Sequence, residues 1–118
     1  MVNHYNIFLD DCRSPTFLKD IRTWEVVRNY QEFIKLITER GIPEFISFDH
    51  DLSYQDIGKT DYNIFKEKTG YHCALFLIKF CEINNLKLLQ WQVHSLNLVG
   101  KKNIEQLLKK YESNKHYT

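Results

Sequence analysis

Two short apolar runs, each ending in acidic residues, constrain this chain more than anything else in it. Tyr5-Asn6-Ile7-Phe8-Leu9 runs into Asp10-Asp11, and Phe45-Ile46-Ser47-Phe48 runs into Asp49-His50-Asp51. A short, near-continuous apolar run reads as a strand, and Phe45 to Phe48 reads as one buried on both faces, as in a parallel sheet. In an open parallel sheet the carboxyl ends of the strands form one edge, and ligands bind in the crevice outside it. Four carboxylates therefore converge there. They repel, and at least one pKa rises, unless a hard divalent cation or a basic side chain lies between them. The pattern points to a metal or phosphate site.

The remaining segments alternate in the same way. Thr23 to Val27 reads as a second strand, and the dozen or so residues before it, interrupted by Pro15, are too few for a full crossover helix, so an abbreviated link is expected. Tyr30 to Arg40 repeats apolar residues at helical spacing and stops at Gly41 and Pro43. Leu52 to Thr69 is a long polar segment that reads as a binding loop or lid. Tyr71 to Ile83 is the most apolar helix, Leu86 to His94 contains another strand, and Asn103 to Tyr111 closes as a helix with a loose tail from Glu112. The order is strand, strand, helix, strand, helix, strand, helix. This predicts a single α/β domain over residues 1–118, a small three-layer flavodoxin-like fold whose mainly parallel sheet has four or five strands and is covered on both faces.

Charge and cysteines narrow the function classes. Sixteen Lys and Arg against 15 Asp and Glu leave a net charge of +1, so a polyanion has to be met by a local patch. No apolar run approaches the roughly 20 residues of a membrane span, and the start lacks the features of a signal peptide, so a soluble, cytoplasmic protein without membrane contact is expected. Cys12, Cys73 and Cys81 have no CxxC spacing, which argues against a disulfide framework and a zinc knuckle.

Chemistry-bearing residues gather at the strand ends. Asp10, Asp11 and Asp49 are the candidate ligands of a divalent cation, Mg²⁺ or Mn²⁺. Asp49 and Asp51 flank His50, where they can raise its pKa or fix its tautomer, and His94 ends the last strand on the same edge. A pair of histidines facing a phosphodiester can serve as general base and general acid, which makes His50, His94 and Asp51 the candidate catalytic set. Arg13 and Arg28, just past the first two strands, can hold phosphate oxygens. Ser95 and Asn97 can orient another oxygen, and Asn97, Gly100 and Asn103 are expected to precede the last helix, whose N-terminal amides form an anion site. His4, His72 and His116 are read as structural.

The ordered series Phe8-Leu9-Asp10-Asp11-Cys12-Arg13-Ser14-Pro15, Trp24 with Val27-Arg28, Ile46-Ser47-Phe48-Asp49-His50-Asp51-Leu52, Thr69-Gly70 and His94-Ser95-Leu96-Asn97 resembles the cyclic-phosphate processing receiver-like domain family, a branch of the receiver (response-regulator) fold. The resemblance implies a metal-supported site that processes cyclic phosphate ends of RNA or of a related nucleotide. Carried over by position, Asp10, Asp11, Arg13, Asp49, His50, Asp51, His94, Ser95 and Asn97 match its motif residues. The chain departs from the pattern at Ser53, where a Gly is expected, at His72, where an Asp is, and at Leu98, where a Pro is. Two other readings stand beside a hydrolase: a phosphoacceptor signalling module, and a silent module that binds a nucleotide or a phosphorylated end. Signalling receivers carry a Lys after the last strand, where this chain has His94-Ser95.

Overall fold

The computed structural model describes residues 4–18, 22–52 and 68–114. Four parallel strands lie in the order β2-β1-β3-β4, where β1 is Asn6–Leu9, β2 Trp24–Val27, β3 Phe45–Phe48 and β4 Gln90–Val93. Between them run α1 (Tyr30–Arg40) and α2 (Gly70–Ile83), and α3 (Leu98–Asn114) follows β4. The α/β class and the parallel sheet are as expected. The abbreviated link between β1 and β2 is a single turn of 3-10 helix, Pro15–Leu18.

Strand alternation sorts the side chains between two faces. Ile7, Leu9, Ile46, Phe48 and Val93 share one core cluster with Phe33 and Ile37 of α1, Cys73, Ala74, Leu77 and Cys81 of α2, and Ile104 and Leu108 of α3. Among the described residues this face carries all three helices, so the helical cover expected on both faces is seen on one. The opposite face carries Phe8, Ser47 and His94, with the Phe8 ring stacked on the His94 imidazole at 4.6 Å and set edge-on to Trp24. Most of the expected loop, residues 53–67, lies outside the described residues, as do Ser53 and His116.

Helix ends follow their capping chemistry. Asn29 caps α1, its side chain accepting from Glu32 N–H. At α2, Thr69 and His72 form a reciprocal capping box, with Thr69 N–H donating to His72 Nδ1 at 2.9 Å. Partial burial, with the charges of Lys68 and His50, lowers the His72 pKa, which suits an acceptor nitrogen. His72 thus fills its place in the family pattern with a capping role.

The last helix departs from the expected Asn103 start. It begins at Leu98, and Asn97 is its cap, with Asn97 Oδ1 accepting from Gly100 N–H at 3.0 Å. Leu98 and Val99 face solvent and Gly100 reads as a breaker, so the first turn carries no apolar periodicity. Asn103 and Gly100 lie inside the helix. The helix also continues past Glu112 to Asn114, where a loose tail was expected.

Candidate functional site

Register brings the site together. Leu9 pairs with Phe48, and Phe48 with Val93, so the next residues, Asp10, Asp49 and His94, stand side by side where the strands end. The ladder extends one step to hold them: Asp10 N–H donates to Val27 O, Asp49 N–H to Leu9 O, and His94 N–H to Phe48 O. Backbone hydrogen bonds at three adjacent positions fix the side chains more tightly than loops do.

Asp10 is fully buried, and all four of its lone-pair positions are used. Oδ1 accepts from the N–H groups of Cys12 (3.0 Å) and Arg13 (2.8 Å), and Oδ2 from Arg13 Nε (2.9 Å) and His94 Nε2 (3.0 Å). Burial alone pushes this carboxyl up. The hydrogen bonds from His94, Arg13 and Cys12, and the Arg13 charge, outweigh burial and hold it well below the usual carboxylate range.

Asp49 goes the other way. Burial, then the negative charge of Asp10, raises its pKa to about 6, against the smaller pull of the His50 N–H and of Arg13. The Arg13 guanidinium sits 3.9 Å from Asp49 Oδ2. Between two acids the structure thus sets a basic side chain, and it leaves Asp49 short of compensation.

The second acidic cluster is tied to the last helix. His50 is fully buried, its Nδ1 lies 2.8 Å from Asp51 Oδ1, and Asn97 Nδ2 reaches the same carboxylate at 3.3 Å. A Cβ on Gly100 would come within 2.4 Å of the His50 ring, so the helix approaches the imidazole with nothing between them. A Cβ on Gly70 would meet the Asp49 carbonyl oxygen at 1.7 Å, while Gly70 N–H donates to His50 O at 2.8 Å. Gly70→Ala is therefore expected to cost about 3 kcal/mol. Urea unfolding checks this, and an unchanged midpoint would mean that α2 is not seated on residues 49 and 50.

A pocket of about 270 Å³ opens at this edge, lined by Asp10, Asp11, Cys12, Arg13, Asp49, Asp51, Ser95, Leu96 and Asn97. Neither His50 nor His94 is part of its lining. Both expected catalytic imidazoles sit behind an aspartate, His94 behind Asp10 and His50 behind Asp51. Arg28, expected at the substrate, donates instead to the carbonyls of Asp10 (3.2 Å) and Arg13 (2.6 Å) and so braces the loop that carries Arg13. Ser95 Oγ accepts from Asn97 N–H at 3.1 Å and shapes the turn into α3. The Cys12 thiol is pushed up by desolvation and by Asp11 and Asp10, which makes it a poor nucleophile.

A family model for the cyclic-phosphate processing receiver domain matches residues 5–110. The chain belongs to that family. No curated protein and no solved structure matches it. In this receiver domain the strand-end acids, Arg13 and the His94-Ser95 pair all fall inside the matched span. No helix among the described residues is long and apolar enough to cross a membrane.

The donor chemistry of the receiver pocket suits a hard cation. Four carboxylates face one guanidinium among the lining residues, and Asp49 is under-compensated. Mg²⁺ commonly binds through one or two carboxylates and keeps several waters. The expected set of Asp10, Asp11 and Asp49 is divided, however. One cluster joins Asp10, Asp49 and His94, a second joins Asp10, Asp11 and Cys12, each within 4.8 Å, and Asp10 has no lone pair left. With Asp10 anchoring Arg13 and His94, Asp49 in the first cluster and Asp11 in the second are the carboxylates that would each hold a cation, and neither cluster contains both.

A stability test follows from Asp49. Its folded pKa of about 6 lies above the ordinary value of 3.8, so its contribution to stability is present at low pH and is lost as pH rises through about 6. Asp49→Asn removes that loss. In EDTA above about pH 7 the variant is expected to melt higher than wild type, and Mg²⁺ or Mn²⁺ to raise the melting temperature of wild type alone. Thermal melts with and without the cation check both.

Proposed function

We propose that this pocket binds a cyclic phosphate diester, a 2′,3′-cyclic RNA end or a related nucleotide cyclic phosphate, and hydrolyses it to a monoester. The observation that carries the reading is the single guanidinium fixed in an acidic pocket. Arg13 is pinned by Asp10 at 2.9 Å, within reach of Asp49, and shares the pocket with Asp51, which His50 backs at 2.8 Å. A guanidinium held in this way binds phosphate oxygens without losing further side-chain freedom.

In the reaction, a water oxygen forms a bond to phosphorus and one ring P–O ester bond breaks. Asp51 takes the proton from the attacking water and the leaving oxygen takes one from solvent, to which Asp51 later returns its own, so one water is consumed and a free hydroxyl appears beside the phosphate monoester. His50, buried behind Asp51, steadies that carboxylate as it changes charge. His94 acts one step further back, through Asp10, on the position of Arg13. Asp49 or Asp11 would hold a divalent cation, which when bound would supply Lewis acidity and neutralise charge at the phosphoryl oxygens. Leu96, 85% exposed on the rim, offers an apolar contact to the part of the ligand beyond the phosphate, such as a nucleobase.

Turnover of a panel of 2′,3′-cyclic nucleotides, cyclic-ended RNA and ADP-ribose cyclic phosphate, with Mg²⁺ or Mn²⁺ and with EDTA, tests the reading. Monoester formation from at least one of these, lost in Arg13→Met, is expected. Thermal stabilisation by the same compounds without product would make the protein a binding module. Acid-labile phosphate on Asp49 after acetyl phosphate treatment would make it a signalling module.

A further inference from the structure

Ser47 is a fully buried polar residue in the middle of β3, between Ile46 and Phe48, on the face that carries Phe8 and His94. A buried hydroxyl needs partners, and this one has two. Gln92, at the register position paired with Ser47 on β4, donates from Nε2 to Ser47 Oγ at 2.9 Å. Ser47 Oγ in turn lies 2.7 Å from His94 Nδ1. The His94 ring is 4.6 Å from that of Phe8 and nearly parallel to it, at 3°, so its plane is set by stacking. Its other nitrogen, Nε2, lies 3.0 Å from Asp10 Oδ2.

The donor inventory gives this chain of bonds a direction. The Gln92 amide nitrogen can only donate, so Ser47 Oγ accepts from it and its own hydrogen is free to turn toward His94. Nδ1 then accepts, which places the ring hydrogen on Nε2, where the ionised Asp10 can only accept. Each link is consistent with the next: Gln92 to Ser47 to His94 to Asp10. The alternative tautomer, with hydrogen on Nδ1, would aim the Nε2 lone pair at a buried carboxylate, which is repulsive.

We propose that Ser47 is a positioning residue that fixes His94 as the neutral Nε2–H tautomer, so that His94 permanently donates to Asp10 and keeps the Asp10 carboxylate in place for Arg13. Ser47 touches neither the pocket nor a ligand and acts through His94. The proposal goes beyond the cyclic-phosphate reading and holds whether or not the pocket turns such a compound over, because it concerns the resting protein.

Long-range proton–nitrogen NMR of the imidazoles at neutral pH tests it, with the His94 signals assigned by their loss in His94→Gln. In wild type the expected pattern has Nδ1 unprotonated and Nε2 protonated. In Ser47→Ala the ring loses the partner that holds Nδ1 and is expected to turn off Asp10, which relieves the repulsion of the other tautomer, so the two nitrogens move toward averaged shifts. The Arg13 Nε–H is expected to exchange with solvent roughly fivefold to tenfold faster than in wild type, the scale of one hydrogen bond's worth of order. Ser47→Thr, which keeps the hydroxyl, restores the single tautomer. An Nδ1–H or doubly protonated His94 in wild type would overturn the proposal without recourse to any variant. So would a folded Ser47→Ala protein that retains the pure Nε2–H pattern.

Discussion

Asp51→Asn is expected to lower kcat for cyclic phosphate opening by about 10²- to 10⁴-fold, the usual contribution of a positioned general base, with little change in KM. Asparagine keeps the shape of the side chain and an oxygen for the His50 Nδ1 contact, so stability stays near that of wild type. What it removes is the capacity to take a proton from water at a position that lines the pocket. His50 does not stand in for it, because the imidazole is fully buried, lies outside the pocket lining and is bonded to Asp51. Steady-state kinetics separate the two parameters. A variant with unchanged kcat would remove Asp51 from proton transfer, and one with raised KM alone would make it a binding residue.

Asp10→Ala is expected to be the most destabilising strand-end substitution, at about 3–5 kcal/mol. It strips the acceptor from a guanidinium, an imidazole and two backbone N–H groups at once. Removing its charge relieves the repulsion on Asp49, which offsets only part of that loss. Asp11→Ala, half-exposed on the pocket wall, serves as the control and is expected to stay within about 0.5 kcal/mol of wild type. Because the folded pKa of Asp10 is depressed, its contribution is fully present above about pH 4 and is lost as pH falls below that. Wild type therefore loses stability on acidification more steeply than Asp10→Ala does. Urea midpoints across that range check the difference, and equal costs for Asp10→Ala and Asp11→Ala would contradict the network described for Asp10.

The strands at the centre of the sheet were legible because Ile7 to Leu9 and Phe45 to Phe48 are buried along their whole length, and such runs have few other uses. The convergence of Asp10 and Asp49 was legible for a topological reason, since parallel strands put their carboxyl ends on one edge. What could not be read was the depth of each side chain behind that edge. His94 falls on the same side of the sheet as Phe8 and Ser47, so strand alternation carries its ring inward under the pocket. His50 is covered by Gly100, a residue that as sequence looked like a break before the last helix. That helix starts five residues earlier than its apolar spacing indicates, because Leu98 and Val99 in its first turn face solvent and the turn meets the core through Gly100. Arg28 looked equivalent to Arg13 by position, yet its guanidinium is spent on two loop carbonyls. Ser47 is a lone polar residue inside an otherwise apolar strand, and such a residue must have a buried partner, a signal that the sequence carries.

The account turns on water opening a cyclic phosphate in this pocket. ³¹P NMR of the product formed in ¹⁸O-labelled water measures that step directly, using the member of the cyclic phosphate panel with the fastest turnover. The account predicts a phosphate monoester carrying one ¹⁸O, formed by wild type and by Asp11→Ala at reduced rate, and not formed by Asp51→Asn over the same interval. A cyclic phosphate left intact by wild type with the cation present, or a product without ¹⁸O, would contradict it.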